Sequence, residues 1–146
     1  MTPVKTLLLL AIKKQLESID TIKTVLLNPP SGTSWDACEH PLCITSDMTE
    51  SFKLVQDKSE NTFRLQIELY TIIDSTLDNI TIIDDLYSSI IYNLQLRRDN
   101  TIWDYAKKVN PVSASRIFGY DDYNGYLMEF DIVYLTVRGN PYTLIL

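Results

Sequence analysis

The sequence predicts one α+β domain, in which two helices pack on one face of a mainly antiparallel sheet. Two segments carry apolar residues three or four positions apart, which is the spacing of an amphipathic helix. Two longer segments alternate apolar and polar side chains, as strands with one buried face do. Short connections between strands outnumber long ones, which favours hairpins. The 146 residues suffice for one hydrophobic core.

The first part of the chain predicts a helix and two short strands. Residues 3–19 carry apolar side chains at helical spacing, with lysines on the other side. Residues 22–27 are rich in β-branched types and end at "NPPSG", which indicates a strand followed by a loop. Residues 33–40 are expected to be loop, and residues 41–45, "PLCIT", a strand. Residues 47–61 are polar without a sustained period, so we expect a hairpin loop or an excursion from the sheet.

The middle of the chain holds the clearest strand and the second helix. Residues 62–73 alternate strictly, and residues 74–79 are expected to turn the chain. Residues 80–97 predict an amphipathic helix. The side chains expected on the buried face of the strand are Phe63, Leu65, Ile67, Leu69 and Thr71.

The remaining residues predict two further strands and an apolar tail. "IWDYAKK" indicates a short helical turn, and residues 112–120 a strand of moderate quality. "DDYNG" is typical of a hairpin turn with Asn-Gly at its centre. Residues 126–138 then predict a long strand, and residues 139–146 an apolar C-terminal tail.

Composition excludes several classes of function. The net charge of −6 gives no basic surface for gripping phosphates, although an acidic surface suits a channel through which DNA passes without adhering. The apolar run at residues 7–12 is too short for a signal sequence and is followed at once by two lysines. No stretch approaches the roughly 18 apolar residues of a membrane span. We therefore expect a chain made in the cytoplasm, with no membrane partner.

The segment "WDACEHPLCITS" contains both cysteines and the single histidine of the chain, the residue types most often found in metal and thiol sites. Cys38, His40 and Cys43 are only three candidate ligands, whereas a structural zinc site takes four, usually as two separated pairs. They are retained as weak metal candidates. A disulfide would close a very short loop, and a reducing compartment disfavours it. The favoured interpretation is a loop that enters a strand with Cys43 as a buried hydrophobe, so no catalytic residue, metal or cofactor is predicted.

Aromatic and basic residues suggest a surface for partners. "LRRDNTIWDYAKK" combines Arg97 and Arg98 with Trp103 and Tyr105, which are residue types that anchor interfaces. The apolar end of the chain is the second candidate patch. From that end we select three residues for a subunit or partner interface, Tyr142, Leu144 and Leu146.

The order of these elements resembles the tail terminator, or tail completion, proteins of long-tailed bacteriophages. The resemblance runs from about residue 4 to residue 138 and leaves residues 33–61 unmatched as a variable loop region. It is carried by a leading helix and by four segments in the same order. These segments are "TVLLNPP", "FRLQIELYTI", "DNITIIDDLYSSIIYNLQ" and "YLMEFDIVYLTVRG".

The resemblance implies a structural virion protein without enzymatic activity. Such a subunit forms a ring, expected to be hexameric, that stops growth of the tail tube and joins the tail to the head connector or stopper. Its expected partners are copies of itself, the tail tube protein and the connector. A ring built from one repeated contact is heterologous, so two different patches of the subunit must be complementary.

Three alternatives remain open at this point. A head-closure or adaptor protein of the phage neck also forms small rings. A metal or thiol enzyme centred on Cys38, His40 and Cys43 is the second. An interaction module with no link to phages is the third.

Overall fold

The computed structural model describes residues 1–34, 36–73, 79–117 and 122–146, and for residues 79 and 80 only the backbone. The predicted α+β class is confirmed, and both helices pack on the same face of a mostly antiparallel sheet. In chain order the elements are α1 (Val4–Glu17), β1 (Thr24–Leu27), β2 (Leu42–Val55), β3 (Lys58–Ile72), α2 (Asn79–Gln95), a 3-10 helix (Ile102–Asp104), β4 (Lys108–Ile117), β5 (Tyr123–Val137) and β6 (Asn140–Leu144).

The sheet has β3 at its centre, in the order β1-β2-β3-β5-β4. β1 runs parallel to β2, and the remaining pairs are antiparallel. β6 lies on the same side of β5 as β4 does, beside the last residues of β5, where Leu144 pairs with Thr136. The two long strands β3 and β5 pair along their whole length, from Lys58 opposite Val137 to Ile72 opposite Tyr123.

The main core lies between the helices and one face of the sheet. The predicted alternation of β3 is confirmed, because its odd-numbered residues 63–71 are buried while Arg64, Gln66 and Glu68 are only half-buried on the other face. Each fully buried large apolar side chain contributes roughly 1.5–3 kcal/mol relative to exposure. The fully enclosed members include Leu8, Ile12 and Leu16 of α1, Ile83, Ile90 and Leu94 of α2, Phe63, Leu65, Ile67 and Leu69 of β3, and Ile132 of β5.

The hairpin expected at residues 47–61 is present, but it consists of two paired strands, so the expectation of a loop or an excursion from the sheet is wrong. β2 continues to Val55 and β3 begins at Lys58, so these residues form a β-hairpin whose tight turn contains Gln56 with a positive φ of 54°. The β2 half of the hairpin is exposed from Ser51 to Val55, whereas the buried positions of the β3 half are the polar Ser59 and Asn61, so the sequence shows no apolar strand period. We call residues 48–62 the arm.

The predicted turn at Asn124 and Gly125 is also wrong. Both residues lie within β5, where Gly125 is paired with Tyr70 on one side and Ile117 on the other. A Cβ atom at Gly125 would lie 2.9 Å from the Cβ of Ile117 and 3.1 Å from the Tyr70 ring. The glycine therefore permits close approach of neighbouring side chains, which is another reason for glycine in a strand.

Two smaller expectations change as well. β4 begins four residues before the predicted residue 112, at Lys108, because its buried Val109 belongs to the core. Residues 139–146 are not a free tail, since β6 pairs with β5. The short helical turn at "IWDYAKK" is confirmed as the 3-10 helix. The predicted turn at residues 74–79, except its last residue, and residues 118–121 lie outside the described residues.

Candidate functional site

An open cleft of about 460 Å³ lies between the segment after α2 and the end of β6. It combines cationic, aromatic and apolar side chains. The residues that line it are Arg97, Arg98, Asp99, Trp103, Asp104, Tyr105, Ala106, Lys107, Ile145 and Leu146. We call this site the cleft.

The first wall is a compact turn fixed by local hydrogen bonds. The hydroxyl of Thr101 donates to the Arg98 carbonyl at 2.6 Å and accepts from the Trp103 backbone N–H at 3.3 Å, which caps the 3-10 helix. The Asp104 carboxylate accepts from the Asn100 backbone N–H at 3.1 Å. Asn100 has a φ of 60°, a conformation that asparagine tolerates better than most residues. The turn therefore holds its aromatic residues in defined positions.

Buried Gln15 of α1 ties this turn to both helices. Its side-chain oxygen accepts from the Ile102 backbone N–H at 3.1 Å, and its amide donates to the Asn93 carbonyl of α2. One polar side chain thus satisfies two backbone groups that the core would otherwise leave unpaired, which is costly when buried. The sequence periodicity does not reveal this role of Gln15.

Trp103 and Arg97 form the aromatic and cationic part of the cleft. The indole N–H of Trp103 donates to the Leu94 carbonyl at 2.9 Å, one of the last carbonyls of α2. The Arg97 guanidinium lies 4.2 Å from the Trp103 ring centre, within the range of a cation–π contact. The ring therefore holds the guanidinium at the mouth of the cleft, with hydrogen-bond donors left to reach a partner.

The second wall comes from the end of the chain. Ile145 donates its backbone N–H to the Leu135 carbonyl of β5 at 2.9 Å, and Lys107 on the opposite wall donates to the Val133 carbonyl at 2.7 Å. Both walls are thus anchored to the same strand. The width of the cleft is set by β5, not by a free loop.

The charge of the cleft differs from that of the whole chain. Three cations, Arg97, Arg98 and Lys107, face two carboxylates, one of which is engaged by the Asn100 backbone. The whole chain has a net charge of −6. A locally cationic cleft with a tryptophan and an apolar end suits an acidic segment with an apolar or aromatic anchor.

The structure brings together five of the seven predicted interface residues. Arg97, Arg98, Trp103, Tyr105 and Leu146 line the cleft. The other two lie outside it on β6, where Tyr142 is exposed and Leu144 packs partly on the core.

Five lining residues were not among the predicted interface residues: Asp99, Asp104, Ala106, Lys107 and Ile145. Lys107 follows the aromatic pair in the same short segment, so its membership had a sequence signal. Ile145 enters through the pairing of β6 with β5, which local sequence does not reveal.

The cysteine and histidine segment is divided by the sheet. Cys43 is fully buried in the main core, as predicted, whereas Cys38 packs at the edge of a second small cluster on the other face. That cluster consists of Leu42, Ile44 and Tyr70. Both cysteines are free. The two thiols thus lie on opposite faces of one strand pair.

The environment of Cys43 disfavours nucleophilic chemistry there. Burial raises the pKa of the Cys43 thiol to about 12, against a smaller opposing effect of the Thr45 hydroxyl. The thiolate is the nucleophile and the metal ligand, so a thiol held neutral is inert.

His40 packs as an aromatic side chain. Its ring stacks on Tyr123 with centres 5.1 Å apart, and the Tyr123 hydroxyl donates to Asp36. The part of the chain that the structure describes contains no cluster of three or more histidine, cysteine, aspartate or glutamate residues able to hold a metal ion. We therefore interpret the segment with Cys38 and His40 as a loop that packs over the second cluster.

Two further observations bear on the class of protein. Among the described residues, no helix is both long and apolar enough to cross a bilayer. Comparison of the sequence with protein-family models and with curated proteins gave no match.

Proposed function

We propose that this chain is a structural virion protein that caps the phage tail tube as a ring. The ring, expected to be hexameric, ends tube polymerisation and joins the tail to the head connector. No enzymatic activity belongs to this proposal. The alternative is an adaptor of the phage neck, which would form a ring on the connector instead of the tube.

The observation that carries the proposal is the presence of two separate contact surfaces on one small subunit. The cleft offers a cationic and aromatic site at the end of α2. The arm offers exposed apolar side chains, with Phe52 65% and Leu54 53% exposed, at the far edge of the sheet. A ring-forming cap needs at least two kinds of contact, one with its neighbours and one with the structure that it caps.

The charges on the face of the sheet opposite the helices support a position of that face beside a DNA channel. At the centre of that face the Arg64 guanidinium bonds Glu129 at 2.6 Å and Asp131 at 2.7 Å, and Glu68 lies four residues further along β3. This part of the face therefore carries three carboxylates and one guanidinium, which gives it a net negative charge. A surface of net negative charge repels the phosphates of DNA and lets it pass.

We assign the cleft to the tail tube. Tryptophan and arginine anchors in such sites typically cost 2 kcal/mol or more when truncated, which is roughly a 30-fold loss of affinity. Binding of the purified chain to isolated tail tubes, imaged by electron microscopy, is the direct test. We expect density at one end of the tubes, and loss of that density with Trp103→Ala or Arg97→Glu.

Tyr92→Ala is the matched control, because Tyr92 is an exposed aromatic residue of α2 outside the cleft. It should cap tubes as the wild type does. Binding to connector rings with none to tube ends would favour the neck adaptor and contradict the proposal. Equal binding by Trp103→Ala would leave the cap standing but remove the cleft as its tube site.

A further inference from the structure

Besides the outer sides of β1 and β4, two stretches of strand edge have no partner strand in the described structure. β1 pairs with β2 only at Leu42–Thr45, so the β2 edge of the arm is open beyond that point. β6 pairs with β5 on one side, and its other side is open within the described residues. An open edge presents backbone N–H and C=O groups ready to pair with another strand.

The two edges carry few of the charged residues that protect natural edge strands, although Lys53 lies on the arm and Pro141 on β6. Between Ser51 and Val55 only Lys53 is charged, and β6 has no charged residue. Exposed apolar side chains stand on both edges instead. Phe52 and Leu54 lie on β2, and Tyr142, which is 44% exposed, lies on β6. Edges of this kind favour association with another strand.

The two edges lie at the same height in the sheet and expose side chains on the same face. One row of paired residues crosses the sheet from Leu54 through Ser59 and Thr136 to Leu144. Paired residues share a face, so the two leucines project to the helix side. Phe52, two positions from Leu54, projects to that side as well, and the exposed Tyr142 precedes Leu144 in the stretch of β6 where the register with β5 shifts.

The directions of the strands also match. β2 is antiparallel to β3, β3 to β5, and β5 to β6, so β2 and β6 run in opposite directions. Rotation about a ring axis preserves the height and axial direction of every strand. The β2 edge of one copy and the β6 edge of the next can therefore meet as an antiparallel pair without an axial shift.

We infer that β6 of one copy adds to the arm edge of β2 in the next copy, which makes the sheet continuous between subunits. The inference rests on the proposed ring and names its subunit contact. Phe52 and Leu54 of one copy then face Tyr142 and Leu144 of the other, and such cross-strand apolar pairs each contribute to sheet stability. Pro141 has no N–H to donate, so the ladder centres on the residues after it.

A mixture of two variants, each with one exposed cysteine, tests this contact. Both chains carry Cys38→Ser, which removes the partly exposed native thiol, while buried Cys43 is kept. One chain carries Leu54→Cys and the other, with a longer tag, carries Tyr142→Cys. A short bis-maleimide is added to each chain alone and to the mixture, over a range of protein concentrations.

We expect a cross-linked heterodimer in the mixture and no homodimer in either sample alone. The matched control replaces Tyr142→Cys by Val112→Cys, an exposed site on β4, and should give no cross-link. Phe52→Lys, which places a charge on the edge, should abolish the product while circular dichroism shows an unchanged fold.

Three outcomes overturn the inference. A homodimer of the Leu54→Cys chain indicates two-fold pairing of arm edges. A product with Val112→Cys places β4 at the contact. The absence of any product at every concentration shows that these edges do not meet. Tube capping is scored separately, so that capping without the cross-link rejects this contact alone, and the cross-link without capping rejects the proposed function.

Discussion

The two ends of β2 have similar residue types but opposite environments. At the first end, Leu42 and Cys43 are fully buried, one on each face, with β1 along the edge and the Cys38–His40 segment above. At the second end, Phe52 and Leu54 are more than half exposed, and no described strand pairs with their edge. Burial along this strand is therefore set by the elements that cover it, not by the apolar character of its residues.

The difference indicates separate tasks for the two ends. The covered end contributes to the stability of the fold, since its side chains fill two clusters. The open end contributes little to the isolated subunit, and in the inferred subunit contact its apolar surface would meet a neighbour. Stability and association can then be altered independently by substitutions along one strand.

The largest expected contrast is in thiol reactivity. A pKa of about 12 instead of 9.0 leaves roughly a thousandfold less Cys43 thiolate at neutral pH. In a Cys38→Ser background, native protein should react very slowly with a maleimide at Cys43, whereas Leu54→Cys should react within the mixing time. Mass spectrometry of timed samples measures both. Fast labelling of Cys43 in folded protein would contradict the assigned environment.

The same substitution at the two ends of β2 should have very different effects on stability. Leu42→Ala removes a fully buried side chain and should lower the free energy of unfolding by about 2–5 kcal/mol. Leu54→Ala, at a half-exposed site, should change it by less than about 0.5 kcal/mol. Urea denaturation of both variants checks this, and equal losses would show that the arm belongs to the cooperative core.

A pair of glycine substitutions extends the comparison across the sheet. Gly125 lies in the row of Leu42 and Tyr70, and Gly125→Ala should cost about 1–3 kcal/mol through crowding against Ile117. Gly139 lies beside the arm with a φ of 71° and open space around it. Gly139→Ala should cost only about 1 kcal/mol of backbone strain. Thermal unfolding of both variants tests the order, and the reverse order would be inconsistent with this packing.

The smallest effect concerns Asp47, which lies between the two ends of β2, where the register with β3 shifts. Burial raises the pKa of Asp47, but hydrogen bonds from Lys5, 2.8 Å away, and Asn28 outweigh it, so the pKa is lowered overall. The ion pair therefore contributes stability above about pH 4, and the contribution is lost as the pH falls through the lowered value. Solvent screening limits it to about 1 kcal/mol.

Lys5→Met should remove this contribution. The stability difference between variant and wild type, measured by urea denaturation, should be larger at pH 6 than at pH 3. A difference independent of pH would indicate that Lys5 acts through packing on Phe63, which lies 5.3 Å from its ammonium, and not through Asp47.

Periodicity predicted the helices and the central strand because their burial is one-sided. Leu65, Ile67 and Leu69 alternate with polar residues, and the apolar residues of α2 recur at helical spacing. The fold class followed from these patterns. The Cys43 environment followed too, from its place in a short apolar run.

Other features depend on contacts between distant residues and had no local signal. The arm is a hairpin with little cover, so its alternating Glu50, Phe52 and Leu54 were overlooked among polar neighbours. Gly125 has the sequence of a turn but serves a close approach of Ile117. The cleft combined two segments that residue type had selected separately, and only the pairing of β6 with β5 joined them.

The most direct test of the proposed function is the growth of tail tubes in the presence of this protein. Tube protein is allowed to polymerise, the purified chain is added, and tube lengths are measured by electron microscopy after further tube protein is supplied. The proposal predicts that tubes keep the length that they had when the chain was added, with a ring at the capped end. Continued elongation of the tubes after the chain is added would contradict it.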